Sequence, residues 1–171
     1  MKTVKILIIL TSTLLIVFAC KKKSGESTSN ALNILFSSGF GNQNDLTAWT
    51  QSSGGQAVID SSAVKFTNIT ECFLFETLNA IPVQNGKIYE LRLTGKVNPA
   101  LNGDPALCAG NFITYITQDN TNIVSESFGN NLSWTQKSYS FKATSSSPVK
   151  IKFLIGTTRG AWIDDIKFIE N

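Results

Sequence analysis

The segment KIYELRLTGKV, from Lys87 to Val97, decides the fold of this 171-residue chain. Apolar Tyr89, Leu91, Leu93 and Val97 alternate along it with polar Glu90, Arg92, Thr94 and Lys96. Successive side chains of a strand point to opposite faces of a sheet. The alternation therefore predicts a strand with one buried face and one wet face.

The same alternation recurs on both sides of this segment. It is clear at residues 138–143 and 149–155, and weaker at 57–60, 63–67, 71–78, 111–118, 122–128 and 161–169. Turns such as Ser53-Gly54-Gly55 and Asn85-Gly86 separate the strands, because their residues tolerate positive φ. About nine short strands with turns between them predict an all-β fold, a two-sheet antiparallel β-sandwich over residues 33–171.

The N-terminus is typical of an exported protein. Residues 1–19 have two lysines and then an apolar run of 14 residues, which is shorter than the roughly 20 that a transmembrane helix needs. The run ends in Val17-Phe18-Ala19-Cys20, which resembles the lipobox of bacterial lipoproteins. That resemblance implies a signal peptide over residues 1–19 and acylation of Cys20. An ordinary cleaved signal and an uncleaved anchor are the alternatives.

Residues 20–32 are polar and without periodicity, as in a flexible tether. Lys21, Lys22 and Lys23 either contact anionic lipid headgroups or form a solvated spacer. Some lipoproteins that are exported to the cell surface carry an acidic run after the acylated Cys. The run here is basic, which favours a location on the outer membrane with the domain facing the periplasm. Residues 20–171 hold 13 Lys and Arg against 12 Asp and Glu, so no nucleic-acid partner is predicted.

The two other cysteines, Cys72 and Cys108, form an even pair in an oxidising compartment. They are predicted to form a disulfide, and two free buried thiols are the alternative.

The residue types argue against an enzyme. The chain has no histidine, which excludes Ser-His-Asp and Cys-His catalysis and imidazole metal sites. Asp164 and Asp165 are neighbours on a predicted strand, so they point to opposite faces and cannot form the carboxylate pair of a glycosidase. We therefore predict that the chain is not an enzyme.

Three segments in order resemble the carbohydrate-binding modules of the galactose-binding-like jelly-roll superfamily. They are Gly39-Phe40 with 46–50, then 83–91, and last 134–141 with 162–168. The resemblance covers roughly residues 33–170. It implies a jelly roll and a non-catalytic, membrane-anchored module for a neutral glycan. The alternative is a structural or protein-interaction lipoprotein whose partner is an envelope protein.

The resemblance also implies a structural calcium. Many relatives hold this calcium where the first strand meets the last, and Asp164 matches a position that could contribute to it, although Gly41 stands where relatives commonly have an acidic residue. Alternate residues of a regular strand share a face, so this strand would have Trp162, Asp164, Ile166 and Phe168 on one face. A carboxylate among apolar groups binds a cation or, alternatively, accepts backbone N–H bonds.

Aromatic side chains are the natural candidates for a sugar platform. The three tryptophans lie at or next to core positions of the pattern, and Trp49 and Trp134 are predicted to be structural. Within 71–78, Cys72, Leu74 and Leu78 are predicted to face the core, which turns Phe73 and Phe75 outward. These two residues, with Tyr115, are the predicted sugar-binding set. The alternative is that a loop covers Phe73 and Phe75. The sequence does not determine on which face Tyr115 lies, because both faces of its strand are apolar.

Overall fold

A computed structural model describes residues 32–98, 107–110, 112–157 and 159–171. The predicted signal peptide, Cys20 and the tether up to residue 31 lie outside this range. Among the described residues, no helix is long and apolar enough to cross a membrane.

Eleven strands and two short 3-10 helices make up the described chain. The strands are β1 (Asn33–Ser38), β2 (Trp49–Gln51), β3 (Gln56–Asp60), β4 (Ala63–Thr67), β5 (Phe73–Thr77), β6 (Ile88–Val97), β7 (Phe112–Gln118), β8 (Thr121–Ser127), β9 (Thr135–Lys142), β10 (Val149–Ile155) and β11 (Ala161–Glu170). The 3-10 helices are Gln43–Ala48 and Leu107–Gly110. The nine predicted strands are present, and β1 and β2 are additional.

The strands form two antiparallel sheets. One has the order β3-β4-β11-β6-β9, with β1 also paired to β11, and the other has the order β2-β5-β10-β7-β8. All named pairings are antiparallel. The predicted two-sheet β-sandwich is therefore confirmed.

The inner faces of the two sheets carry the core. The alternating apolar residues of β6 are buried as predicted, since Tyr89, Leu91, Leu93 and Val97 are at most 1 % exposed. The four apolar residues at alternate positions of β10 are fully buried as well. Each such side chain stabilises the fold by about 1.5–3 kcal/mol relative to an exposed one. The period-two pattern thus identified the core side of both strands.

A β-bulge changes the side-chain phase of β11. Asp164 pairs with Thr94 of β6 and Lys167 with Arg92, so two residues of β11 oppose one of β6. Asp165 takes a φ of 48° at this point. The predicted shared face is therefore wrong, because Trp162 and Asp164 lie outside while Ile166 and Phe168 lie in the core.

Two of the three tryptophans lie outside the core. Trp49 is buried, as predicted, and stacks on Phe75 with ring centroids 4.7 Å apart. Trp134, in contrast, is 45 % exposed, and Trp162 is half-buried on the outer face of the six-stranded sheet. Lys96 opposes Trp162 and has its Nζ 4.5 Å from that ring centroid and 5.1 Å from that of Trp134. The prediction that Trp134 is a core residue is wrong, and cation–π contacts with Lys96 hold the Trp134 and Trp162 rings on the surface.

A disulfide joins Cys72 and Cys108, with their Cα atoms 5.6 Å apart. Cys72 directly precedes β5, and Cys108 lies in the second 3-10 helix, before β7. The bond thus attaches the β6–β7 connection to the start of β5.

Candidate functional site

The two phenylalanines of the predicted sugar platform lie inside the core. Phe73 is 0 % exposed and Phe75 is 2 % exposed. Phe75 contacts Trp49 and the ring of Phe66, whose centroid is 5.2 Å away. The prediction that Phe73 and Phe75 face solvent is wrong, and neither ring can stack on a sugar from these positions.

The alternation expected for 71–78 does not hold because β5 is shorter than that segment. It ends at Thr77, and Leu78 beyond it is 48 % exposed, so Leu78 does not mark the buried face. Only one face of β5 can point into the core. Two phenylalanines bury more apolar surface there than Leu74 alone would, so Phe73 and Phe75 occupy the inner face. Cys72, which was expected in the core, is exposed apart from its disulfide.

Tyr115 lies on the opposite, outer face of the five-stranded sheet. It pairs with Lys152 of β10, while its neighbour Thr114 pairs with the core residue Phe153. Tyr115 is half-buried, so part of its side chain is accessible. The structure therefore separates Tyr115 from Phe73 and Phe75 and supplies it with other neighbours.

The pairing registers arrange those neighbours in two rows across the sheet. One, which we call the apolar row, consists of Leu74, Leu154 and Ile113. The other, the Tyr115 row, consists of Thr50, Glu76, Lys152, Tyr115 and Ser125. Strands lie about 4.8 Å apart and alternate residues about 7 Å apart, so three strands of the two rows cover about 10 Å by 7 Å. That area is comparable to one or two sugar rings.

Ion pairs fix the polar groups beside Tyr115. The Glu76 carboxylate lies 3.2 Å from Lys150 Nζ through Oε1 and 3.3 Å from Lys152 Nζ through Oε2. All three side chains are one-third exposed or less. Their positions place a hydrogen-bond acceptor and two donors at fixed places next to the Tyr115 ring.

This face has the properties of a binding surface. The Tyr115 ring and the apolar row can contact the apolar side of a flat ligand, and Glu76, Lys150 and Lys152 can bond its hydroxyls. Glu76 is the one carboxylate in the two rows, so these rows hold no acid–base pair of the glycosidase type.

Part of this set was visible in the sequence. Lys150 and Lys152 alternate with the buried residues of β10, which already indicated a wet face. The core prediction for Leu74 is wrong, since it lies on the outer face beside Leu154. The alignment of Leu74, Leu154 and Glu76 with Tyr115 depends on long-range strand pairing, which local sequence does not reveal.

Asp164, the predicted calcium ligand, lies on the outer face of the other sheet next to the bulge. Burial raises the pKa of Asp164, while a hydrogen bond from the Asp165 backbone lowers it. The neighbouring carboxylate of Asp165 pairs with Lys167 at 2.6 Å. The described residues include no group of three His, Cys, Asp or Glu side chains able to hold a metal ion. Calcium binding at Asp164 stays a prediction without further support from these residues.

No protein-family model and no curated protein sequence matches this chain. Solved structures do resemble it. A structure described as CBM4 structure and function superposes with a TM-score of 0.57 at 14 % identity, covering 74 % of this chain and 96 % of that one. The ligand-free CBM1 of BiXyn10A gives 0.58 at 13 %, covering 81 % and 99 %.

A third structure contains a larger protein. The CBM22-1-GH10 modules of xylanase 10B from Clostridium thermocellum, complexed with xylohexaose, give a TM-score of 0.60 at 13 % identity. The match covers 81 % of this chain and 28 % of that one. At such identities the likeness concerns the fold, and this chain shares the jelly-roll β-sandwich of these carbohydrate-binding modules.

Proposed function

We propose that this chain is a non-catalytic carbohydrate-binding module whose binding surface is the outer face of the five-stranded sheet. The observation that carries the proposal is the alignment of Tyr115 with the apolar row and with the Glu76–Lys150–Lys152 ion pairs. The fold shared with modules such as the xylan-binding domain of CBM22 supports the same assignment.

The ligand we propose is a neutral glycan. Both lysines of the face already contact Glu76, so little unbalanced positive charge remains for an acidic sugar. Residues 20–171 carry a net charge of only +1, which gives no long-range attraction to a polyanion. Binding through one aromatic ring and a short apolar row is expected to be weak, because association also costs ordering and desolvation.

A glycan panel tests this function. We expect residues 32–171 to be retained by neutral polysaccharides such as xylan or β-glucan, and less by polyuronates. Retention of neutral glycans should change little between 50 and 500 mM salt, since Coulomb forces contribute little. Strong retention by polyuronates that salt abolishes would contradict the neutral ligand. A folded domain that no glycan retains would contradict the function and favour the protein-interaction alternative.

The second part of the proposal is the membrane anchor. Acylation of Cys20 would hold the domain at the outer membrane on its periplasmic side, at the end of the tether over residues 20–32. Changing Cys20 to Ala in the full chain should release the protein from the membrane fraction or leave it unprocessed. Unchanged membrane fractionation with normal processing would contradict the anchor.

A further inference from the structure

A polar groove runs between β8 and β9, which are edge strands of the two different sheets. Its volume is about 480 Å³, and Ile123–Ser127 and Lys137–Ser140 line it. Volumes of about 300–1,000 Å³ are typical of small-ligand sites. The groove opens at the side of the sandwich, and Ser125 is the one residue that its lining shares with the Tyr115 row.

Polar residues occupy core-facing positions along this groove. Glu126 of β8 pairs with the inward-facing Thr114, and Lys137 and Tyr139 of β9 pair with the core residues Leu93 and Leu91. The corresponding positions of β6 and β10 are apolar. On these two edge strands, however, Glu126 is exposed and Lys137 and Tyr139 are half-buried, so the three polar side chains line the groove and do not enter the core.

Two hydroxyls lie at the inner end of this groove. The hydroxyl oxygens of Tyr139 and Thr114 are shielded from water. The Thr114 hydroxyl lies within reach of Tyr139, and neither oxygen has another partner among the described residues. Glu126 makes no hydrogen bond or ion pair within the same part of the chain, and the Lys137 ammonium lies 5.8 Å from the Phe128 ring centroid. Each hydroxyl can both donate and accept, so the contact between the two leaves hydrogen-bonding capacity for water or a ligand.

The chemistry of these groups defines the ligand. A carboxylate accepts hydrogen bonds, an ammonium donates them, and the two hydroxyls can do both. Glu126 and Lys137 have opposite charges, so the groove is balanced for a neutral molecule. A ligand rich in hydroxyl groups satisfies this mixture better than an apolar molecule or a simple ion.

We propose that the groove between β8 and β9 is a second carbohydrate site, which takes one or two neutral sugar residues. Glu126 and Lys137 bond hydroxyls at its mouth, and the Tyr139 hydroxyl, which lies against Thr114, bonds one that reaches its floor. The inference rests on these groove residues and does not require sugar binding at Tyr115.

The test is an NMR titration of the ¹⁵N-labelled domain with xylobiose and with cellobiose. We expect saturable shifts of the amides of Ile123–Ser127 and Lys137–Ser140, and we expect them to persist in Tyr115→Ala. The double variant Glu126→Gln with Tyr139→Phe should weaken this binding at least tenfold. Its melting temperature should stay close to that of the wild type, because Glu126 is exposed and Tyr139→Phe keeps the aromatic ring.

The outcomes separate this site from the proposed function. Ser125 belongs to both sets and is left out of the comparison. Shifts confined to the apolar row and to the other residues of the Tyr115 row would overturn the groove and leave the proposed function standing. Shifts confined to the groove would support the groove and contradict the outer face. Unchanged groove affinity in the double variant, or no shift at either place, would overturn the inference.

Discussion

At the scale of single residues, Glu90 shows how side-chain partners determine stability. It lies on the outer face of β6, where Arg92 Nη2 donates to Glu90 Oε2 at 2.6 Å and Ser138 Oγ donates to Glu90 Oε1. The hydrogen bond from Arg92 and then that from Ser138 lower the pKa of Glu90 from 4.5 to about 2. The charged carboxylate is therefore favoured in the folded protein.

Glu90→Gln should lower the stability at neutral pH by about 1 kcal/mol, because Arg92 is partly exposed and solvent screens the pair. The pKa of Glu90 is depressed in the folded state, so its contribution is present above pH 4.5 and is lost as the pH falls towards 2. Urea unfolding of both proteins at pH 7 and pH 2.5 measures this. A difference that is as large at pH 2.5 as at pH 7 would contradict the pKa assignment.

The orientation of β5 gives a second prediction at the residue scale. Phe75→Ala should cost about 3–5 kcal/mol, because it leaves a cavity against Trp49 and Phe66. Leu74→Ala is the matched control on the outer face of the same strand and should cost less than about 1.5 kcal/mol. Equal losses in the two variants, or a larger loss in Leu74→Ala, would restore the outward orientation of the phenylalanines.

At the scale of elements, the disulfide between Cys72 and Cys108 restrains the connection between β6 and β7. It closes a loop of 36 residues. Replacing both cysteines with Ser should lower the free energy of unfolding by about 3–4 kcal/mol in the chain-entropy model. Urea unfolding of the variant and of the oxidised wild type measures the difference. A loss below about 1 kcal/mol would mean that the bond restrains the unfolded chain little.

Strand faces were predictable from the sequence where a strand has one clear alternation. β6 and β10 met this condition, and their buried faces were correct. The condition failed for β5, where Phe73, Leu74 and Phe75 are consecutive and apolar. It also failed for β11, because the β-bulge at Asp165, where φ is positive, adds one residue to the strand and reverses the alternation after it.

The candidate site was less predictable than the fold. Tyr115 was identified, but its face was open because both faces of β7 contain apolar residues. The pairing of β7 with β10 determines which face Tyr115 lies on. Because β10 also pairs with β5, the same strand brings the β5 residues next to Tyr115. Such contacts join residues that lie between 37 positions (Tyr115 and Lys152) and 80 positions (Leu74 and Leu154) apart, and local alternation carries no information on them.

At the scale of the whole molecule, the sandwich uses its inner faces for the core and leaves its outer faces and open sides for other roles. The six-stranded sheet holds Trp134 and Trp162 beside Lys96 on its outer face. The five-stranded sheet presents Tyr115 with an ion-paired carboxylate. The same fold occurs in modules that share 11–14 % of their residues with this chain, so the surface residues decide the function.

The central claim is that sugar binds on the outer face at Tyr115, and calorimetric titration of Tyr115 variants tests it most directly. With the neutral oligosaccharide that the wild-type domain binds, Tyr115→Ala should weaken the affinity about tenfold or more, and Tyr115→Phe should retain most of it, because the ring provides the stacking surface. Trp134→Ala, on the other sheet, is the matched control and should bind like the wild type. An unchanged dissociation constant in Tyr115→Ala would contradict the claim.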